Sequence, residues 1–258
     1  MSVYNGDDHY KFYKATQSIL LNSILPNQFI LIVDGPINAN IKSVINKLDK
    51  LNIMLILYLD LNQGLANAIN EGLKFVTSEW VFRADADDIN VVDRFKIQLE
   101  NLKDCDVLGG QIYEVNNNIC VSVRIVPLGH QAIRKFLIWR NPMNHMTVAF
   151  KYSLYKNFGG YPNILYREDY AYWSKLISNG AIFKNLDKIL VYASVNDAFY
   201  SRRTGLKYFI SDVKLQIYQH SLQIISLPKL IAKILVKLIL YSLPVSSLKF
   251  IYKLVRKS

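Results

Sequence analysis

Apolar and polar positions follow two alternating patterns in the first hundred residues. Short continuous apolar runs, each followed by polar residues, predict buried strands at 29–36, 53–60 and 79–88. Segments with the three-to-four-residue spacing of amphipathic helices lie at 15–24, 41–51 and 63–76. Buried strands that alternate with helices predict an α/β fold with a parallel, doubly wound sheet.

The second hundred residues are less regular. Paired strands around an Asn-rich turn are predicted at 107–115 and 118–126, with a further strand at 145–153 and a helix at 167–180. We expect one domain over 1–212, with a first half (1–104) and a second half (105–212), followed by a helical tail over 213–258.

The tail is apolar with regularly spaced cations. After Asp212 the sequence has no acidic residue and carries eight lysines and arginines, whereas the rest of the chain contributes only +3 of the net +11. Lys229, Lys233 and Lys237 recur every four residues and predict one stripe on a helix, and a similar spacing resumes after Pro244. The apolar stretches between the cations are too short for an ordinary membrane span.

Two arrangements of this tail remain open. It could form an amphipathic helix pair on an anionic membrane surface, which we favour, or a helix packed on the domain with its lysines in water. A nearly neutral domain with an apolar tail excludes a nucleic-acid binder. Cys105 and Cys120 form no metal motif or disulfide framework, and the N-terminus is polar, so we expect a cytoplasmic protein with reduced thiols.

Polar side chains follow each of the predicted strands. Asp34 and Asn62 follow the first two, and Asp85, Asp87 and Asp88 follow the third. Ligands of such sheets bind beyond the carboxyl ends of the strands, so we expect these side chains to share one site.

The acidic cluster at 85–88 has two interpretations. Carboxylates two residues apart on an extended segment point the same way and suit Mg²⁺ or Mn²⁺, with substrate phosphates and water as the other ligands. Alternatively, the cluster is an acidic turn with Asp88 or Asn90 as a helix N-cap.

Several segments in order resemble the family 2 glycosyltransferases with the GT-A fold, a Rossmann-like fold with a mostly parallel sheet. The resemblance extends over about residues 2–212. Its last segment resembles the Arg-Arg segment of the family members that make capsule and O-antigen. The segments that carry it are SVYNGDDHY (2–10), ILIVDGP (30–36), NQGLANAINEG (62–72), RADADDINVVDRF (83–95), NHMTVAF (144–150), GGYPNILYREDYAYW (159–173) and FYSRRTGLKY (199–208).

The resemblance implies a binding site for a nucleotide-diphosphate sugar such as a UDP-sugar. The residues that would hold the nucleoside and shape its pocket are Tyr4, Asp34, Asn62, Gly64 and Asn70. The residues that would serve the sugar, the metal and the diphosphate are Asp85 for the ribose or sugar, Asp87 with Asp88 for Mn²⁺ or Mg²⁺, and Arg202 with Arg203 for the leaving diphosphate.

On the acceptor side, the resemblance implies that Asp169 is the general base, with Glu168 beside it. His145 could contact the metal or the acceptor. The implied reaction is inverting transfer to a lipid-linked glycan of a surface polysaccharide, at the inner face of a bacterial cytoplasmic membrane. Each role has a structural alternative: Asp169 as a helix N-terminal charge, the two arginines as surface charges, and His145 as a packing residue.

The start of the chain departs from the family pattern. An apolar first strand normally precedes the VYNG segment, but only Met1, Ser2 and Val3 precede Tyr4 here. We expect either that the strand lies ahead of Met1 or that the chain lacks it, which would expose a sheet edge.

Two other functions would also use the acidic cluster. One is a phosphotransferase or phosphatase of the haloacid-dehalogenase type, although that class carries its Asp-x-Asp after the first strand. The other is an inactive transferase fold that serves as a membrane-bound assembly protein, which predicts no metal-dependent nucleotide binding.

Overall fold

The computed structural model describes residues 1–49, 54–116, 119–195 and 205–242, with side chains described as far as residue 238. The strands are β1 (Ser2–Val3), β2 (Phe29–Val33), β3 (Met54–Tyr58), β4 (Trp80–Phe82), β5 (Ile89–Asn90), β6 (Val107–Asn116), β7 (Ile119–Arg124), β8 (Ala149–Lys151) and β9 (Phe183–Ser194). The α-helices are α1 (His9–Leu20), α2 (Ala39–Asp49), α3 (Leu65–Leu73), α4 (Arg94–Leu99), α5 (His130–Leu137), α6 (Tyr152–Phe158), α7 (Glu168–Ser178), α8 (Leu206–Ser221) and α9 (Leu227–Ser242).

The first sheet has the predicted parallel arrangement. Its order is β1-β2-β3, with both pairs parallel and Phe29 opposite Met54. Leu31 and Val33 of β2 pack with Ile41 and Ile45 of α2 in a buried apolar cluster. Asp34, the residue after β2, therefore lies at the edge formed by the carboxyl ends of these parallel strands.

The second sheet is mixed rather than parallel. Its order is β4-β8-β6-β9-β5, and β7 pairs with β6 outside this path. Of these pairs, β6 and β9 are parallel and the others are antiparallel. The predicted strand pair at 107–126 is confirmed, and its short connection accounts for antiparallel pairing because parallel strands need a long crossover.

The segment predicted as one strand at 145–153 is divided. A 3₁₀ helix spans His145–Thr147, β8 spans Ala149–Lys151, and α6 begins at Tyr152. Helix α7 begins at Glu168 as predicted, but it ends before Gly180, whose φ of +86° takes the chain out of the helix.

Two of the tail lysines do not lie in water as the packed-helix alternative expected, whereas the membrane arrangement stays a prediction. Helix α9 packs on α8, and Lys233 Nζ donates to Ile138 O (2.6 Å) and Gln219 Oε1 (3.3 Å). Lys237 Nζ pairs with the buried Asp212 at 2.8 Å. The two lysines turn inward because Ile138 O and the buried carboxylate of Asp212 accept charge-assisted hydrogen bonds there.

The outward face of α9 is apolar. Leu227, Ile231 and Leu235 lie one turn apart and are more than half exposed. Among the described residues, no helix combines the length and the apolar character that a bilayer span requires. The part of the tail from 243 onward, with its second set of cations, lies outside the described residues.

A short first strand is present. The main-chain N–H groups of Ile32 and Asp34 donate to Met1 O (2.9 Å) and Val3 O (2.8 Å), so β1 pairs with the end of β2. It reaches only Ile32 and Val33, and the first half of β2 extends beyond it.

Candidate active site

Asp34 organises the loop that follows β3. Its carboxylate accepts hydrogen bonds from the main-chain N–H groups of Gln63 (2.7 Å) and Gly64 (3.0 Å). Asn62 Nδ2 donates to Asp34 O at 3.2 Å. The convergence expected at the strand ends is therefore found for Asp34 and Asn62, with the main chain of Gly64 beside them.

Two glycines allow this close approach. Gly35 has a φ of +83°, and a Cβ there would lie 2.5 Å from Asn62 N. Gly64 has a φ of +82° with open space around the same position. At Gly35, both the positive φ and the nearby main chain of Asn62 exclude a side chain. At Gly64, only the positive φ favours glycine.

Tyr4 follows β1 at the same edge of the first sheet as Asp34, and it is 42% exposed. Its main chain forms a turn in which Tyr4 N donates to Asp7 Oδ2 and Asp7 N donates to Tyr4 O. The ring lies over Gly6, where a Cβ would come within 2.5 Å of it. An exposed aromatic ring in this place can stack on a planar base.

Arg83 is the buried cation of the acidic segment. Its guanidinium pairs with Asp85 and also donates to Ala84 O at 3.1 Å. Its Nε donates to His145 Nε2 at 3.1 Å. Arg94 Nη2 in turn donates to Arg83 O at 2.7 Å, so a second buried guanidinium supports the same segment.

The three carboxylates have different electrostatic environments. Burial is the largest single influence and acts to raise the pKa of Asp85, but the surrounding positive groups, Arg83 first, together outweigh it and hold that pKa below its ordinary value. Loss of solvation next to the surrounding protein atoms, followed by the negative charges of Asp85 and Asp7, raises the pKa of Asp87 to about 6. Burial, followed by Asp87 and Asp85, raises the pKa of Asp88 well above its ordinary value.

Asp88 is the most enclosed of the three. It is buried, and its Oδ1 accepts from Ser194 N at 2.7 Å, which links the cluster to the end of β9. Lys11 Nζ donates to the hydroxyl of Ser194 at 2.7 Å. The N-cap alternative is wrong, because Asn90 lies in β5 and α4 begins only at Arg94.

The cluster fits a metal that has further ligands from a substrate. The described residues contain no group of three His, Cys, Asp or Glu side chains that could hold a metal by themselves. Asp87 is exposed and carries a surplus of negative charge from Asp85 and Asp7, which a cation would relieve. Oxygen donors of this kind suit Mg²⁺ or Mn²⁺.

His145 is a buried, neutral ring. Because Arg83 Nε donates to its Nε2, that nitrogen is an acceptor, and Tyr161 Oη lies 3.2 Å from it. Burial, then Arg83, lowers the pKa of His145 to about 4, against the charges of Asp85 and Asp169. Arg83 thus joins His145 to Asp85, and the His145 ring lies 6.0 Å from the Trp173 ring of α7, the helix that begins with Glu168 and Asp169.

Asp169 lies in the first turn of α7. Its Oδ2 accepts from Asn141 Nδ2 at 2.6 Å, and its Oδ1 accepts from Tyr170 N at 2.7 Å. Asn141 is itself held by Met143 N, which donates to its Oδ1 at 3.2 Å. Glu168 is buried, and this burial raises its pKa.

Asn70 connects α3 to the loop before α7. Its Oδ1 accepts from Tyr161 N (2.8 Å) and its Nδ2 donates to Tyr161 O (2.9 Å). The amide thus holds the segment that carries Tyr161 toward His145. Arg202 and Arg203, predicted to contact the diphosphate, lie outside the described residues.

Sequence reasoning missed three polar contributors: Lys11, Arg94 and Asn141. Lys11 and Arg94 lie on helices whose spacing predicts only amphipathic packing. Asn141 lies in an unpatterned segment, 28 residues from the carboxylate that it contacts. No local pattern in the sequence signals these three contacts, because each joins segments that are separate along the chain.

The sequence profile of glycosyl transferase family 2 matches residues 1–167, well over half of the chain. The chain belongs to glycosyl transferase family 2. This membership makes it a glycosyltransferase rather than a phosphotransferase, and it confirms the resemblance on which the site residues were predicted.

Relatives of this glycosyltransferase come from several bacteria. It is 33% identical over 258 residues to an Escherichia coli UDP-Gal:alpha-D-GlcNAc-diphosphoundecaprenol beta-1,3-galactosyltransferase, an alignment that covers 98% of this chain and 94% of the other. It is 36% identical to an uncharacterized Haemophilus influenzae glycosyltransferase over 80% of this chain and 78% of that protein. The Erwinia amylovora amylovoran biosynthesis glycosyltransferase AmsE is 27% identical over 100% and 98% of the two chains.

Solved structures share the GT-A fold. Staphylococcus aureus TarS 1–349 in complex with UDP-GlcNAc superposes with a TM-score of 0.63 at 17% identity, covering 84% of this chain and 65% of that one. The mannosyltransferase PcManGT of Pyrobaculum calidifontis, in complex with GDP-Man and Mn²⁺, gives a TM-score of 0.58 at 15% identity, covering 100% and 79%. The chain thus spans about two thirds of the TarS fragment.

Proposed function

We propose that this glycosyltransferase is metal-dependent and inverting, and that it moves a sugar from a UDP-sugar to a lipid-linked glycan. One observation carries the proposal. Arg83 pairs with Asp85 and donates to His145, and the His145 ring lies 6.0 Å from the Trp173 ring of α7, the helix whose first turn carries Asp169. These contacts support a site in which a donor-side carboxylate and a candidate base lie on the two sides of His145, as a direct displacement requires.

The donor would lie along the carboxyl edge of the first sheet. Tyr4 offers an exposed ring, and Asp34 with Asn62 fixes the loop at Gly64 that would border the nucleoside. Asn70 would shape the pocket indirectly, through the main chain of Tyr161. Support for a uridine nucleotide comes from the UDP-Gal-using Escherichia coli relative and the UDP-GlcNAc complex of TarS.

Asp87, with Asp88 behind it, would hold Mn²⁺ or Mg²⁺ against the diphosphate. When bound, such a metal supplies positive charge that stabilises the leaving diphosphate. Asp85 would orient the ribose or sugar while Arg83 keeps its carboxylate ionised and fixed. Arg202 and Arg203 remain candidates for additional contacts to the diphosphate.

Asp169 would accept the proton of the attacking acceptor hydroxyl. Asn141 Nδ2 and Tyr170 N each donate a hydrogen bond to one oxygen of this carboxylate. These two bonds fix the carboxylate, and the remaining lone pairs of its oxygens are left for the hydroxyl. With one base opposite the leaving group, displacement is direct, and the anomeric configuration inverts. Glu168 would line the acceptor side, and His145 would keep Arg83 in place.

A lipid-linked acceptor accords with the Escherichia coli relative, whose name specifies GlcNAc-diphosphoundecaprenol. The test is a panel of nucleotide sugars with a short-chain GlcNAc-diphosphate lipid and Mn²⁺, in which we expect transfer from a UDP-sugar with inverted configuration. Transfer from another nucleotide class, or with retained configuration, would contradict the proposal. Asp169→Asn should abolish transfer while UDP binding persists.

The same proposal includes peripheral association with the cytoplasmic face of the membrane. The exposed apolar face of α9 (Leu227, Ile231 and Leu235) can enter the interface, and the absence of acidic residues after Asp212 favours anionic lipid. Ile231→Asn with Leu235→Asn should reduce cosedimentation with vesicles of phosphatidylglycerol and phosphatidylethanolamine. Leu21→Asn, which changes a still more exposed leucine at the C-cap of α1, is the control. Equal cosedimentation of both variants would refute this surface.

A further inference from the structure

Two lysines of the tail helix α9 contact the domain that carries the candidate active site. Lys233 Nζ donates to Ile138 O at 2.6 Å and to Gln219 Oε1 at 3.3 Å. Lys237 Nζ pairs with Asp212 Oδ2 at 2.8 Å. Each of these contacts belongs to a short series of polar contacts that leads toward the first turn of α7.

The first series connects Lys237 to the residue before α7. One oxygen of the buried Asp212 pairs with Lys237, and the other pairs with Arg167 at 2.5 Å. Arg167 is the N-cap residue of α7, and its guanidinium lies 4.4 Å from the ring centre of Tyr208 on α8. Because Lys237 holds one oxygen of this carboxylate, it limits how far the other can move with Arg167. Asp169 lies only one turn or less beyond that point.

The chain enters α7 in a conformation that needs support. Tyr166 has a φ of +63°, although it is not a glycine, and its ring centre lies 5.6 Å from that of Tyr208. Such a conformation is unfavourable for a residue with a Cβ, and it persists only where surrounding contacts hold it. The contacts that α8 makes with Tyr166 and Arg167 therefore hold the turn from which Asp169 follows.

The second series connects Lys233 to the segment that contains Asn141. Gln219 Nε2 donates to Leu137 O at 3.3 Å, and Lys233 Nζ donates to the next carbonyl oxygen, Ile138 O. These carbonyls lie at the end of α5, and the chain continues from there to Asn141. Asn141 Nδ2 donates to the carboxylate of the candidate base at 2.6 Å. The two lysines thus contact both segments that flank this base.

The apolar face of α9 does not compete with these contacts. Leu227, Ile231 and Leu235 each precede a lysine of the stripe by two positions, which is about 200° around a helix. A membrane surface that receives the apolar face would therefore lie on the opposite side of α9 from the two inward lysines.

We propose that Lys233 and Lys237 are positioning residues for Asp169, which makes α9 a support of the catalytic base. The inference rests on the proposed role of Asp169 as the base. Lys237 acts through Asp212 on Arg167, and Lys233 acts through Ile138 O on the segment of Asn141. A small displacement of a base relative to the acceptor hydroxyl lowers kcat without weakening the binding of the donor.

The experiment measures transfer by the full chain without vesicles, from the UDP-sugar that supports transfer to a short-chain GlcNAc-diphosphate lipid. Lys237→Met and Lys233→Met should each lower kcat by roughly five-fold or more and leave the KM for the UDP-sugar unchanged. Lys229→Met is the matched control, because Lys229 belongs to the same stripe but is exposed, and it should keep the wild-type kcat. Lys237→Arg should restore most of the kcat, since a guanidinium also pairs with a carboxylate.

Hydrogen exchange distinguishes positioning from a general loss of stability. The amide of Tyr170, which donates to Asp169 Oδ1, should exchange faster in Lys237→Met and Lys233→Met than in the control. The amide of Leu31, buried in β2 of the first sheet, should exchange at the wild-type rate in all variants. A general loss of stability would accelerate exchange at both amides.

Three results would overturn the inference in different ways. If Asp169→Asn abolishes transfer but Lys233→Met and Lys237→Met keep the kcat of the control, the base stands and the lysines do not position it. If Asp169→Asn keeps the wild-type kcat, the proposed base is wrong and the lysines have no base to position. If the lysine variants lose kcat while exchange at Leu31 accelerates as much as at Tyr170, the lysines only stabilise the fold.

Discussion

Asn141 offers the sharpest test of the base assigned to Asp169. Asn141→Ala removes the 2.6 Å hydrogen bond to Asp169 Oδ2. Hydrogen bonds to charged groups contribute about 1.5–3 kcal/mol, and Asp169 is only half-buried, so water can replace part of it. We take the lower value, about 1.5 kcal/mol, which corresponds to a roughly ten-fold lower kcat.

Asn141→Asp should be more damaging. The carboxylate can still accept from Met143 N, but it places a second negative charge beside Asp169, which disfavours a fixed, ionised base. We expect a loss of roughly a hundred-fold or more in kcat, because the lost hydrogen bond to Asp169 and the added repulsion act together.

The assay is steady-state transfer with saturating UDP-sugar and Mn²⁺, alongside calorimetric titration of UDP. Asn179→Ala is the control, since its amide donates to Lys175 O at the other end of α7, in an exposed position. UDP affinity should be unchanged in all three variants. If Asn141→Ala and Asn179→Ala have the same kcat, Asn141 does not position the base, and the reasoning fails.

Three further predictions follow from buried contacts. Asp212→Asn removes the carboxylate that pairs with Arg167 (2.5 Å) and Lys237 (2.8 Å). Because both cations are partly exposed, we expect the free energy of unfolding to fall by about 2 kcal/mol and Tm to fall by about 4–8 °C. The surface-pair control, Glu71→Gln, should change Tm hardly at all. Gly35→Ala should weaken UDP binding much more than Gly64→Ala, because only its Cβ meets the main chain of the donor loop, and equal affinities would oppose this. A thiol reagent at pH 8 should modify exposed Cys120 before buried Cys105, whose pKa burial raises to about 11; mass spectrometry of the labelled peptides gives the order.

The first sheet and the edge where Asp34 and Asn62 meet could be predicted from the sequence. Continuous apolar runs locate β2 and β3, and in a parallel sheet their polar followers must share an edge, so Asp34 and Asn62 were placed correctly by pattern alone. The period of α3 and the acidic start of α7 were equally informative, because local spacing determines which face of a helix is buried.

Contacts between distant segments could not be predicted. The stripe of Lys233 and Lys237 was correctly placed on one helix face, but its direction depends on Ile138 O and Asp212, which no local pattern reveals. The same holds for Asn141 and Asp169. The mixed second sheet escaped prediction because short apolar runs specify strands but not their partners.

The central claim is that Asp87 brings a divalent metal to a nucleotide diphosphate. The most direct test is calorimetric titration of UDP into the wild-type chain and Asp87→Asn, each with Mn²⁺ and with EDTA. We predict clear binding only for the wild type with Mn²⁺, and a loss of at least about ten-fold in affinity in the other three cases. Equal UDP affinity with and without metal, or in the variant, would contradict the account.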